Sequence, residues 1–101
     1  MICIDEPFLN VEKIYPIQQR KVKELINDIK ENNKIKRIII FGSSVTDKCH
    51  IGSDVDIYVE TQTNNIELKN QHNFEYDLWT NNTVDKRLMK EINDKGVIVY
   101  E

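Results

Sequence analysis

The run Ile38-Ile39-Ile40-Phe41 constrains this chain more than any other stretch. Four large apolar residues in a row, three of them β-branched, leave no polar side to turn toward water. In an extended strand successive side chains point to opposite faces, so both faces of this strand need cover. A central strand buried on two sides therefore stands at the middle of the fold. What remains of the chain has to supply its neighbours and its covers.

The covers can be read from the spacing of apolar residues. Val22, Leu25, Ile26 and Ile29 recur at i, i+3, i+4 and i+7 with charged residues between them, which predicts an amphipathic helix from about Ile17 to Asn33. Beyond the central strand the period becomes two. Val55, Ile57 and Val59 point one way, and Asp54, Asp56, Tyr58 and Glu60 the other. A polar stretch from Thr61 to Asn73 follows, with Ile66 and Leu68 as a short apolar patch. Alternation over Phe74–Trp79 then predicts a third strand. A last helix, capped by Asn82 or Thr83, turns Val84, Leu88, Met89 and Ile92 inward, with Asp85 in its first turn, Lys95 in its last and Gly96 at C′. Val97–Tyr100 closes as a terminal strand. The expected class is α/β (α+β): a small mixed β-sheet flanked by helices. With 101 residues the chain is expected to be a single domain over 1–101, with 1–16 as an irregular N-terminal lead.

Charge and cysteine content exclude several function classes. A net charge of −3 gives no footprint for nonspecific nucleic-acid binding or for a membrane surface. The basic residues Lys34, Lys36 and Arg37 flank the apolar strand and read as a solvated edge. Cys3 and Cys49 have no metal-type spacing and read as free thiols. The opening Met1-Ile2-Cys3-Ile4 passes at once into Asp5-Glu6-Pro7, so neither a secretory leader nor a membrane span is expected, and the expected location is cytoplasmic. His50 and His72 share no ligand spacing and read as loop histidines.

One constellation carries chemistry. Gly42-Ser43 follows directly on the buried strand, and Asp54-Val55-Asp56 opens the next strand ten residues later. On an extended strand the two carboxylates share a face roughly 6.5–7 Å apart. At an effective dielectric near 20 they repel by about 2.4 kcal/mol, which favours a site that holds a cation. Mg²⁺ is the natural one, since it takes one or two carboxylates and fills its other positions with water and phosphate oxygens. Asp77, in phase on the following strand, would complete a site for two ions able to clamp an in-line phosphoryl displacement. Gly42 lets the backbone approach a ligand closely, and a short helix through Ser43-Ser44-Val45-Thr46 would turn free N–H groups and the Ser43 hydroxyl toward phosphate.

The pattern Gly-Ser, ten residues, Asp-x-Asp after Ile38-Ile39-Ile40-Phe41 resembles the signature of the DNA polymerase beta-like nucleotidyltransferase superfamily. The small size and the ending from Tyr76-Asp77-Leu78-Trp79 to Tyr100-Glu101 are similar to its minimal nucleotidyltransferase branch. The resemblance runs from about Ile17 to the end of the chain. It implies metal-dependent transfer of a nucleoside monophosphate, AMP from ATP or another nucleoside triphosphate, to a hydroxyl acceptor. It further implies Asp54, Asp56 and Asp77 as metal ligands and catalytic residues, with Asp77 as base. Gly42 and Ser43, with Ser44 and Lys48 beside them, are the implied nucleotide-binding residues. Where many relatives carry an arginine, this chain has Val45-Thr46-Asp47-Lys48, and Lys48 is a point charge in place of a bidentate fork. Relatives of this kind often serve as antitoxin to a helical HEPN-type toxin, so a macromolecular acceptor and such a partner are expected. The alternatives are a non-catalytic nucleotide- or partner-binding module of the same fold, or a transferase acting on a small molecule of the aminoglycoside type.

Overall fold

The computed structural model describes residues 2–32, 34–63 and 66–101. Two helices and four strands follow one another as α1 (Pro16–Ile29), β1 (Ile35–Phe41), β2 (Val55–Thr61), β3 (Tyr76–Thr80), α2 (Lys86–Lys95) and β4 (Val97–Tyr100), with 3-10 turns at Val11–Lys13 and Gly42–Val45. The sheet order is β3-β2-β1-β4. β1 pairs antiparallel with both β2 and β4, whereas β2 and β3 run parallel. The sheet is therefore mixed, as expected.

The two-faced character of β1 organises the interior. Ile38 and Ile40 enter one cluster with Val22, Leu25, Ile26 and Ile29 of α1 and with Val55, Ile57 and Val59 of β2. Ile39 and Phe41 enter a second with Tyr58 and Ile92, closed by Leu88 and Met89 of α2. One helix thus covers each face. Tyr58, expected on a polar side, is only 3% exposed because α2 lies over that face too. Alternation along a strand reports which residues share a side, not whether a remote helix covers it.

Several boundaries differ from expectation. α1 ends at Ile29, ahead of Asn32, whose side chain instead donates to the Ile29 and Glu67 carbonyls; Asn33 lies outside the described residues. The third strand begins at Tyr76 instead of Phe74. The cap of α2 is Asp85, whose Oδ1 accepts from the Leu88 N–H at 2.8 Å; Thr83 closes the preceding turn by accepting from the Thr80 N–H. Gly96 has φ −70°, so it is not a left-handed cap. A Cβ there would strike the Ile92 carbonyl and Ile39, so its smallness serves the close seat of α2 on β1. Arg37 pairs with Glu60 across β1 and β2 at 2.7 Å. The N-terminal lead is tied in: Val11 and Ile14 are buried, and the Gln19 amide bonds to their two carbonyls. Among the described residues no helix is long and apolar enough to cross a membrane.

Among its described residues the connection between parallel β2 and β3 contains no helix, and it is clamped instead. Asp28, buried on α1, accepts from the N–H groups of Lys69 (3.2 Å) and Asn70 (3.1 Å) and faces His72 Nε2 at 3.1 Å. His72 is largely buried, so it is more than a loop residue. Burial raises the Asp28 carboxyl, but the bonds from Asn70, His72 and Lys69 outweigh it and hold the group below the usual carboxylate range. Asp28→Ala strands these donors and is expected to cost about 2–4 kcal/mol, read as a lower urea midpoint at pH 7. Because the folded-state value is depressed, the wild-type advantage is present at neutral pH and is lost as pH falls through and below the carboxylate range. An equal midpoint for the variant at pH 7 would show that the clamp contributes nothing.

Candidate active site

The site forms where β1 ends and β2 and β3 begin. β1 and β2 are antiparallel, so Phe41 lies opposite Asp56 and the next residue, Gly42, turns over the Asp56 side chain. Gly42 has φ +74°, a left-handed conformation that suits glycine, and a Cβ built on it would overlap Asp56 Oδ2. The parallel register of β2 and β3 sets Asp77 beside Asp56, on chains about 4.8 Å apart. Both alternate onto the face covered by α2, beyond Tyr58 and the Phe41–Trp79 ring contact at 5.6 Å.

This crowding has an electrostatic consequence. Burial first, then the carboxylates of Asp77, Asp54 and Glu91, push Asp56 from 3.8 up to about 6. Asp54, exposed at the entry to β2, Asp56 and Asp77 line one hollow of about 410 Å³ with Ser43, Lys48, His50, Gly52 and Ser53. A second hollow of about 390 Å³ lies against Gly42, Ser43 and Lys48 and is closed by Glu91 and Lys95 of α2. Ser43 and Lys48 are common to both. Ser44 is placed differently. Its hydroxyl is fully buried and accepts from Gln18 Nε2 at 3.1 Å, so it holds the turn from behind instead of facing the hollow. Among the described residues no three His, Cys, Asp or Glu side chains are gathered closely enough to hold an ion by themselves. The donor set fits Mg²⁺ in another way: hard carboxylate oxygens, paired across adjacent strands, leave further positions to water and phosphate.

A larger hollow of about 650 Å³ lies elsewhere, between Glu24 and Asn27 of α1 and residues 70–73. It has size without the chemistry, since its one titratable ring, His72, is already engaged by Asp28. Three residues of the site do not stand out as site residues in the sequence. Glu91 and Lys95 look like any exposed i, i+4 pair on a helix. Gln18 did leave a signal: it is a polar residue in phase with Val22, Leu25 and Ile29 on the apolar face of α1.

Carboxylates paired across two strands, with a glycine turn seated against them on a mixed sheet, have the chemistry to hold a divalent ion against a phosphoryl group. The family model described as Polymerase beta, Nucleotidyltransferase matches residues 23–101, and the chain belongs to that nucleotidyltransferase family. No curated protein matches it. Among solved structures, a chain from the crystal structure of the toxin–antitoxin MntA–HpeT, in mutant form, is similar with a TM-score of 0.56. The two are 18% identical, and the match covers 80% of this chain and 70% of that one. At that identity the likeness is one of fold, and it agrees with the minimal nucleotidyltransferase architecture.

Proposed function

We propose that this nucleotidyltransferase moves a nucleoside monophosphate, AMP from ATP, to a hydroxyl of a macromolecular acceptor, with residues 1–101 acting as one catalytic unit. The observation that carries the reading is the seating of Gly42 against Asp56, which brings the glycine-serine turn and a carboxylate pair to one place. In this reading Asp54, Asp56 and Asp77 would hold Mg²⁺. When bound, the metal supplies positive charge to the phosphate oxygens and to the leaving group. Gly42 and Ser43 hold the β- and γ-phosphates, and Lys48 adds charge from the shared rim of the two hollows. Asp77, exposed at the edge strand, takes the proton of the acceptor hydroxyl. The acceptor oxygen then bonds to the α-phosphorus, the α–β bridging bond breaks, and pyrophosphate carries the electron pair away.

The similarity in fold to a chain of a toxin–antitoxin complex supports a toxin as partner, and a helical HEPN-type protein is the proposed acceptor. Calorimetric titration with ATP tests the site directly. Binding is expected in Mg²⁺ and at least about tenfold weaker in EDTA, since the carboxylates then repel the phosphates. Equal binding in the two buffers would overturn the metal-dependent reading. Transfer of label from α-labelled ATP to a co-purified partner tests the acceptor, and a labelled small molecule with an unlabelled partner would point to the aminoglycoside-type alternative.

A further inference from the structure

We infer that Gln18 is the positioning residue that fixes the glycine-serine turn relative to the carboxylate pair. Gln18 sits on the first turns of α1, outside the residues matched by the family model, and is fully buried, as is Ser44. Its Nε2 donates to Ser44 Oγ at 3.1 Å, to the Ser53 carbonyl at 3.1 Å and toward the Asp54 carbonyl at 3.4 Å. One amide therefore ties the turn after β1 to the two residues that lead into Asp56. A second bond from the same helix start, the Tyr15 N–H to the Ser44 carbonyl at 3.0 Å, supports the same turn. Nothing else in the described structure joins those two segments from behind through one side chain.

The orientation of the amide is forced, and it has a cost. The Ser53 and Asp54 carbonyls can only accept, so the NH₂ must face them. Gln18 Oε1 is then left buried without a hydrogen-bond partner among the described residues. A buried unpaired acceptor opposes folding; an apolar side chain of the same length would remove it, but would leave the buried Ser44 hydroxyl and Ser53 carbonyl without their donor. A residue present only to fill the core is poorly explained by this arrangement. A residue that sets the distance between the phosphate-binding turn and the carboxylates is well explained by it, because sub-ångström placement governs the strength of both contacts to a bound nucleotide.

This inference rests on the nucleotidyltransferase reading, and its test separates the two. Gln18→Met keeps the length and volume of the side chain and removes only the donor and the stranded acceptor. The variant is expected to have a lower thermal midpoint, because the buried Ser44 hydroxyl and the Ser53 carbonyl lose their donor. Its affinity for ATP in Mg²⁺ is expected to fall by about tenfold or more, the scale seen when groups supporting metal ligands are removed. Asp28→Asn serves as the control for mere loss of stability: it loosens α1 away from the hollows and should leave ATP affinity within about twofold of wild type. Ser44→Ala removes the hydroxyl half of the link and carries the same expectation should Gln18→Met fail to fold. Unaltered affinity in Gln18→Met, or in Ser44→Ala if that is the variant that folds, overturns the positioning role, as does an equal loss in Asp28→Asn. If the wild-type chain itself binds no ATP in Mg²⁺, the proposed ATP-dependent transfer falls and the role of Gln18 falls with it.

Discussion

Asp56→Asn is expected to cripple nucleotide transfer and, in the same molecule, to make the metal-free fold more stable at neutral pH. The two effects share one cause. Asp56 is half-buried at the junction of β1, β2 and β3, where burial and the neighbouring Asp77, Asp54 and Glu91 carboxylates raise it to about 6. An acid whose folded-state value lies above its unfolded value opposes folding once it ionises. The penalty is absent below about pH 4, grows between about pH 4 and 6, and is full above that, reaching about 1–2 kcal/mol once solvent screening of this half-exposed carboxylate is allowed for. Asparagine has nearly the same shape and no charge, so it removes the penalty without opening space beside Gly42. In EDTA at pH 7.5 the urea midpoint of Asp56→Asn should lie above that of the wild type, and at pH 4 the two should coincide. Added Mg²⁺ should raise the wild-type midpoint by mass action and leave the variant unmoved. Transfer itself should fall by about 10²–10³-fold, the scale of deleting one preorganised electrostatic group. A variant less stable than wild type in EDTA at pH 7.5 would mean that Asp56 is satisfied by the fold alone. The wider implication is a stability–function trade-off confined to three strand ends.

The second large effect is expected from a single methyl group. Gly42→Ala places a Cβ into Asp56 Oδ2 and imposes a left-handed conformation on an L-residue. The backbone part costs about 1–2 kcal/mol. Relieving the overlap requires either the turn or Asp56 to move, which brings the total to about 2–4 kcal/mol. Either displacement separates the phosphate-binding turn from the carboxylate pair, so binding of ATP in Mg²⁺ should fall by about 10²-fold. A double-mutant cycle identifies the contact responsible. In an Asp56→Ala background the stability cost of Gly42→Ala should shrink to the backbone part, since the overlapping oxygen is gone. An undiminished cost would assign the whole effect to the turn. Gly52→Ala is the internal comparison. A Cβ at Gly52 meets only the His50 ring at 3.6 Å, an ordinary contact, so stability should change by less than about 0.5 kcal/mol.

Much of this architecture is legible in the sequence. Ile38-Ile39-Ile40-Phe41 required a strand covered on both faces, and the structure divides those residues between two clusters as alternation demands. The adjacency of Gly42-Ser43 to a buried strand and the phase of Asp54 with Asp56 already marked one end of the sheet as the place for phosphate and metal chemistry. These features are local, set by hard-sphere geometry and by the two-residue period of a strand, and so a linear text can carry them.

What lay beyond the sequence is the pairing of residues far apart in it. Period two marks Phe74–Trp79 as a strand without saying that it runs parallel to β2, and only that register sets Asp77 beside Asp56. Nothing local told Glu91 and Lys95 apart from other exposed helical charges, yet the seating of α2 on Gly96 and Ile39 brings both to the glycine-serine turn. Gln18 was visible as a polar residue on an apolar stripe, but its partners at Ser44, Ser53 and Asp54 became definite only once α1 was laid across the sheet. The sequence by itself determined which residues could do the chemistry and which faces had to be buried. The tertiary structure decided which of them meet, because long-range contacts depend on how whole elements pack and on the loops that must close to let them.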